Sequence, residues 1–203
     1  GKLAPFIVTL ASMTIFRGAT LVFTNGNPLT QGLGDSFLFQ FLGQGYIVGI
    51  PFPVILMFLV FIILYVVLHK TAFGKSVYAL GGNEKAAYIS GVKLNKVKII
   101  IYTISGIMAS VSGLIITSRL SSAQPTAGTS YEMDAIAAVV LGGTSLSGGK
   151  GRILGTLIGA LIIGVLNNGL NIIGVSAFWQ QVVKGVVILI AVLLDRFKMA
   201  KSS

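Results

Sequence analysis

The chain has 203 residues, of which 54% are hydrophobic and only 10% charged, and its mean hydropathy is +0.91. Soluble domains carry about 25% charged residues, so the side chains available here cannot cover a water-facing surface, and we expect lipid as the outer solvent. The formal net charge of +10 does not indicate nucleic-acid binding, because the basic residues stand between apolar runs rather than on one polar face.

Four apolar runs have the length of about 20 residues that a helix needs to cross a bilayer. They cover residues 3–23, 51–68, 99–118 and 153–175. A fifth run, 178–194, is shorter and contains Lys184. The segment 133–142 is too short to cross alone unless it extends through Tyr131, which predicts a tilted or re-entrant helix. The pattern as a whole predicts an all-α, polytopic transmembrane bundle.

The distribution of basic residues predicts which loops face the cytoplasm, because Lys and Arg accumulate on the inner side of short loops. The loop after the second span carries Lys70, Lys75, Lys85, Lys93, Lys96 and Lys98. If the spans alternate from there, the inner side also receives Lys2, Lys150, Arg152, Arg196, Lys198 and Lys201. The outer loops then hold Arg119 as their only basic residue, provided that the segment 131–142 crosses.

The loop 69–98 is the longest polar stretch on the predicted inner side. Asn83 can cap a short helix over residues 84–90, and Gly91 can end it. A small amphipathic helix that faces the cytoplasm suits the docking of a partner protein. On the residues alone, a simple connector is an equally good interpretation.

The glycine-rich run 142–151 invites comparison with a phosphate-binding loop. That loop needs G-x-x-x-x-G-K followed by Ser or Thr, whereas here Thr144 occupies the first glycine position and Gly151 follows Lys150. A turn that joins two membrane segments is the better interpretation. With one histidine, His69, and no cysteine, the chain offers no metal ligand set and no nucleophile–base pair, so we expect neither a metal site nor catalytic residues.

Amide side chains gather in the outer half of the fourth span and at the start of the fifth helix. They are Asn167, Asn168, Asn171, Gln180 and Gln181. Polar groups that face lipid are costly, so these residues either line a translocation route or bond helices to one another. Lys184 leaves the same two possibilities open, namely a structural ion pair and a pathway residue.

Several strings resemble a known family. Residues 85–91 have the spacing of the Glu-Ala-Ala-x-x-x-Gly motif that permeases of binding-protein-dependent importers dock into their ATPase, with lysine at the glutamate position and Glu84 one place early. Longer stretches resemble, in order, the ribose and related monosaccharide permeases of ABC importers: 78–84, 119–129, 134–145 and 155–171. The resemblance extends over essentially the whole chain.

The resemblance implies the permease subunit of an ATP-driven importer that brings ribose or a similar monosaccharide through the bacterial inner membrane. It implies a single transmembrane domain over 1–203, truncated by about the first third, with 69–98 as the coupling loop. The implied partners are an ABC ATPase, a periplasmic sugar-binding protein and a second permease copy. The chain itself needs no cofactor, because ATP and Mg belong to the ATPase.

Site residues follow from the same resemblance. The coupling helix would comprise Asn83, Glu84, Lys85, Ala86, Ala87 and Gly91. The pathway for a neutral, polyhydroxylated solute would use Asn167, Asn168, Asn171, Gln180, Gln181 and Lys184. Glu132 and Asp134 would serve receptor docking, with helix capping as an equally good role.

Two other classes of function are alternatives to this one. A stand-alone secondary transporter or channel would share the apolar spans but would retain no ATPase. An intramembrane hydrolase would need a Ser–His pair or two aspartates at membrane depth, which the sequence does not provide.

Overall fold

The computed structural model describes residues 3–30, 32 and 36–200, without the side chains of residues 188, 191 and 194–200. Over these residues the chain forms α1 (Pro5–Thr24), α2 (Phe37–Gln44), β1 (Tyr46–Ile47), β2 (Ile50–Pro51), α3 (Phe52–Lys70), α4 (Ala72–Gly82), α5 (Glu84–Ile89), α6 (Leu94–Leu120), α7 (Tyr131–Leu141), α8 (Ile153–Ile172) and α9 (Ala177–Ala200). The two strands pair antiparallel. Lys2, Lys201 and the side chains of Arg196 and Lys198, which the charge pattern assigns to the cytoplasm, lie outside the described part.

Four of the described helices are long and apolar enough to cross a membrane, namely α1, α3, α6 and α8. In lipid no water can pair with the backbone, so an apolar run of this length satisfies its N–H and C=O groups internally, as a helix. All four correspond to the predicted spans, and the prediction of an all-α, multi-pass membrane protein is confirmed. The helix at the fifth apolar run, α9, has 24 residues and is longer than the predicted run 178–194.

The described residues form two compact units. The first comprises Gly1–Met57 with Ser105–Thr129, and the second comprises Phe58–Ile104 with Ser130–Ser203, within the described ranges. The organisation as a single transmembrane domain stays a prediction.

The first unit contains a short helix that was not predicted from the sequence. Helix α2 and strand β1 fall within the predicted outer loop 24–50, and β2 lies at its end. The Oγ of Ser118 in α6, which is 1% exposed, accepts a hydrogen bond from the Gly43 backbone N–H at 2.9 Å and donates one to the Phe39 carbonyl. Gln44 adds a bond from its Nε2 to the Ser118 carbonyl at 3.0 Å. These bonds fix α2 against the end of α6.

Ser118→Ala is expected to destabilise this unit by about 1–3 kcal/mol, because the Gly43 N–H would stay buried without its acceptor. Ser112→Ala is the matched control, because Ser112 is exposed on the same helix and bonds only to the Met108 carbonyl one turn earlier. Thermal unfolding of the full-length permease in detergent measures both. Equal melting temperatures for the two variants would contradict the role given to Ser118.

The second unit is built around the short helix α7. With 11 residues α7 is about 16 Å long at 1.5 Å per residue, about half of a 30 Å hydrocarbon core. It begins at Tyr131, so the predicted short segment 133–142 does extend to that residue. Its buried residues Ala137 and Ala138 form a core with Ile163 of α8.

Glycines allow α7 and α8 to approach closely. A Cβ at Gly155 would overlap the Gly142 carbonyl, and one at Gly159 would overlap the Ala138 carbonyl. The Gly155-x-x-x-Gly159 spacing, which is typical of closely packed membrane helices, therefore lies at this contact. Gly164, which continues the small-residue spacing on α8, and Gly113 on α6 meet no atom within 4 Å of the position of a Cβ.

Candidate functional site

The short helix predicted in the loop 69–98 is present as α5, and its coupling role stays a prediction. Asn83 alone separates it from α4, in an extended conformation (φ −156°, ψ 104°), and its Oδ1 accepts a hydrogen bond from the Ala86 backbone N–H at 3.0 Å. Gly91 follows the helix with φ +84°, a left-handed conformation that favours glycine. The predicted cap and stop are both confirmed.

One side of α5 faces inward and the rest is open. Ala87 is 3% exposed, whereas Tyr88 and Ile89 are 70% and 84% exposed. Lys85 and Ala86 are exposed as well. An exposed tyrosine and isoleucine beside small and charged residues form a surface that suits a protein partner.

A salt bridge connects α5 to the start of α6. Lys98 Nζ lies 2.6 Å from Glu84 Oε1, with both side chains about half exposed. Exposed ion pairs contribute only about 0–1 kcal/mol, so this bridge orients α5 more than it stabilises the fold.

The glycine-rich loop 142–152 packs against α4. The Tyr78 hydroxyl donates a hydrogen bond to the Gly151 carbonyl at 2.8 Å, and Gly148 and Gly149 pack against the backbone of Gly81 and the residue after it. Gly148 and Gly149 have φ of +87° and +73°, which is why glycine occupies both positions. The loop therefore lies beside α4, and the inner location of Lys150 and Arg152 stays a prediction.

A polar cluster joins α7, α8 and α9 in the second unit. Asp134 Oδ2 on α7 accepts hydrogen bonds from Lys184 Nζ on α9 at 2.9 Å and from Asn167 Nδ2 on α8 at 3.4 Å. The Lys184 and Asp134 side chains are 21% and 20% exposed. Asn167 Oδ1 is buried with no hydrogen-bond partner among the described residues. We refer to these three residues as the polar cluster.

The cluster decides part of what the sequence left open for Lys184. Its ion-pair partner is Asp134 on α7, and a role of Lys184 in a pathway stays a prediction. The docking role of Glu132 and Asp134 stays a prediction. Glu132 is exposed, whereas the Asp134 carboxylate is engaged between helices.

The other amide side chains fall into two groups, one hydrogen-bonded and one exposed without a described bond. Gln180 Nε2 donates to Asn171 Oδ1 at 2.7 Å and to the Val175 carbonyl at 2.8 Å, so this pair holds the turn between α8 and α9. Asn168 and Gln181 are exposed. The assignment of these residues to a translocation pathway stays a prediction.

Two contacts of this site were not predicted from the sequence. Tyr78 lies in one of the strings that carry the resemblance, but nothing local indicates its bond to Gly151. The pairing of Asp134 with Lys184 had a usable signal, because two opposite charges each interrupt an apolar helix and each needs a partner in lipid. Within the described residues, no group of three or more His, Cys, Asp or Glu side chains could hold a metal ion.

Comparisons with known proteins show which sequences this chain is similar to. The chain is 68% identical over 200 residues to the ribose import permease protein of Bacillus subtilis, which covers 98% of the chain and 62% of that relative. It is 57% identical over 199 residues to the ribose import permease protein of Escherichia coli K12, covering 98% of the chain and 62% of the relative. The D-allose transport system permease protein of the same strain is 44% identical over 194 residues, covering 96% and 59%.

The chain thus spans about three-fifths of the length of the curated relatives that it matches. No solved structure matches it significantly. The family model described as the permease component of the branched-chain amino acid transport system matches residues 2–192. Because that match covers nearly the whole chain, this protein belongs to the family of branched-chain amino acid transport system permease components.

Proposed function

We propose that the chain is the major part of the permease subunit of an ATP-driven importer that carries ribose or a similar monosaccharide across the bacterial inner membrane. The observation that carries the proposal is the 68% identity to a ribose import permease over 98% of the chain. The geometry adds α5, a capped and exposed helix on the lysine-rich loop, at the position of the ATPase-docking motif.

Three partners belong to this proposal. An ABC ATPase, which binds ATP and Mg, would dock on the exposed face of α5. A periplasmic sugar-binding protein would deliver the sugar, and a second permease copy would complete the pathway. A stand-alone sugar transporter or channel, the alternative, gives no role to a capped cytoplasmic helix with an exposed Tyr88 and Ile89.

The mechanism uses α5 as the point at which ATP-driven closure of the ATPase acts on the permease. Packed spans respond to such a displacement as rigid bodies, alternating between inward and outward openings. A neutral sugar requires hydrogen-bonding groups rather than a charged clamp. Asn167 Oδ1, which no described residue engages, is an acceptor of the kind that a sugar hydroxyl needs.

The test is Ala86→Arg. Ala86 is exposed on α5, so an arginine there adds bulk and charge to the docking face without entering the core, whereas the neighbouring Ala87 is buried. We expect at least a tenfold loss of ATPase retained in a mild-detergent pull-down of the full-length permease, and a similar loss of uptake of labelled ribose. The membrane level of the permease should not change.

Ala72→Arg is the matched control, because Ala72 is an exposed alanine at the other end of the neighbouring helix α4. It should retain the ATPase and transport normally. Normal ATPase retention and uptake by Ala86→Arg would refute the docking role of α5. If the unmodified permease transports ribose but holds no ATPase, the stand-alone transporter is correct. Competition by unlabelled allose and arabinose determines the preferred sugar.

A further inference from the structure

Where α4 ends, its backbone contacts the backbone of the loop 142–152 with no side chain between them. A Cβ at Gly81 would lie 2.7 Å from the Gly149 backbone nitrogen, and one at Gly149 would lie 2.8 Å from the Gly82 Cα. A Cβ at Gly148 would overlap the Gly81 carbonyl. We call Gly81, Gly148 and Gly149, at which a Cβ would collide with the opposite backbone, the glycine clasp.

The Tyr78 hydroxyl reinforces the clasp one turn earlier on α4. Its hydrogen bond to the Gly151 carbonyl, at 2.8 Å, connects two residues that are 73 positions apart. The loop therefore contacts α4 through one directed hydrogen bond and through backbone atoms that have no rotamers to adjust. Such close-packed contacts transmit displacement rather than absorb it.

Each side of the clasp continues directly into a functional element. On one side, Asn83 alone lies between the end of α4 and α5. On the other side, the loop joins α7 to α8, whose backbones are themselves in contact at Gly142 and Gly155. The α7–α8 hairpin carries Asp134 and Asn167, two members of the polar cluster.

We propose that the glycine clasp is the mechanical link through which displacement of α5 reaches the α7–α8 hairpin and its polar cluster. The proposal rests on the proposed function, because it takes α5 as the element that the ATPase moves. Small shifts at one site become larger rearrangements when rigid elements are in direct contact. Loosening the clasp should therefore leave the ATPase bound but separate ATP hydrolysis from transport.

The test compares Gly81→Ala with Gly82→Ala in the full-length importer, reconstituted in vesicles with its ATPase and receptor. Both glycines lie in the last turn of α4, so both variants gain the same helix propensity. Only Gly81→Ala forces the backbones apart, because a Cβ at Gly82 would lie 3.9 Å from the Gly149 Cα, an ordinary contact. The measured quantities are ATPase retention, ATP hydrolysis and sugar transported per ATP.

We expect Gly81→Ala to retain the ATPase and to hydrolyse ATP within twofold of the unmodified importer, while sugar transported per ATP falls at least tenfold. Gly82→Ala should stay within twofold in all three measurements. Equal transport by the two variants would overturn the proposal. Loss of ATPase retention in Gly81→Ala would also overturn it, because the clasp would then position α5 without transmitting its movement.

Tyr78→Phe tests the clasp without adding volume, and it decides the question if Gly81→Ala fails to accumulate in the membrane. It removes only the hydroxyl that bonds to Gly151. We expect about a threefold loss of sugar transported per ATP, and a value equal to that of the unmodified importer would overturn the proposal. Failure of the proposed function is recognised separately, because the unmodified complex would then show no ATP-dependent uptake.

Discussion

Asp134→Asn is expected to lower the stability of the full-length permease by about 3 kcal/mol. The substitution keeps the size of the side chain but removes the charge that compensates Lys184, whose Nζ lies 2.9 Å from the carboxylate. An unpaired lysine at the centre of a membrane helix costs about 2.5–3.5 kcal/mol on insertion scales. Breaking one partner of a largely buried pair is costly for the same reason.

Thermal unfolding in detergent measures this loss, and a double-mutant cycle isolates the interaction. Asp134→Asn with Lys184→Met removes both charges and should recover most of the stability lost by either variant alone. Lys98→Met is the control, because it breaks an exposed ion pair and should cost less than about 1 kcal/mol. The pair would have no structural role if Asp134→Asn were as mild as Lys98→Met.

Gly159→Ala is expected to destabilise the α7–α8 hairpin by about 1–3 kcal/mol, the typical cost of forcing extra volume into a packed core. The added methyl group would overlap the Ala138 carbonyl, a backbone atom that moves only if α7 moves. The loss should appear as a lower melting temperature in detergent.

Gly164→Ala supplies the matched comparison on the same helix. No atom lies within 4 Å of its Cβ position, so the methyl group meets open space. Alanine is favoured over glycine in a helix by about 1 kcal/mol, and Gly164→Ala should therefore be neutral or stabilising. If the two variants melted together, close contact between α7 and α8 would not govern the stability of the hairpin.

Local features of the molecule were predictable from sequence. The spans follow from the length of apolar runs, and α5 follows from a capping asparagine and a glycine stop at the right separation. Both signals lie within a few residues of the structure that they specify. The short helix α2 was missed because its eight residues fall in a stretch assigned to a loop by its flanking glycines and polar residues.

The long-range contacts of the molecule are of another kind. Ser118 bonds to a residue 79 positions away, Lys184 to one 50 positions away, and Tyr78 to one 73 positions away. Periodicity and capping carry no information about such pairs, because they report on neighbours within one helix. Only one signal indicated a contact between distant residues. An unpaired charge is costly in lipid, so Lys184 requires an acidic partner.

Asn83 makes the junction between α4 and α5 intolerant of changes in length. A helix turns by about 100° per residue, so one residue added to the last turn of α4 would rotate the outward face of α5 by more than a quarter turn. The direction in which α5 faces therefore depends on the length of this junction. A partner adapted to Tyr88 and Ile89 would then meet the side that now holds Ala87.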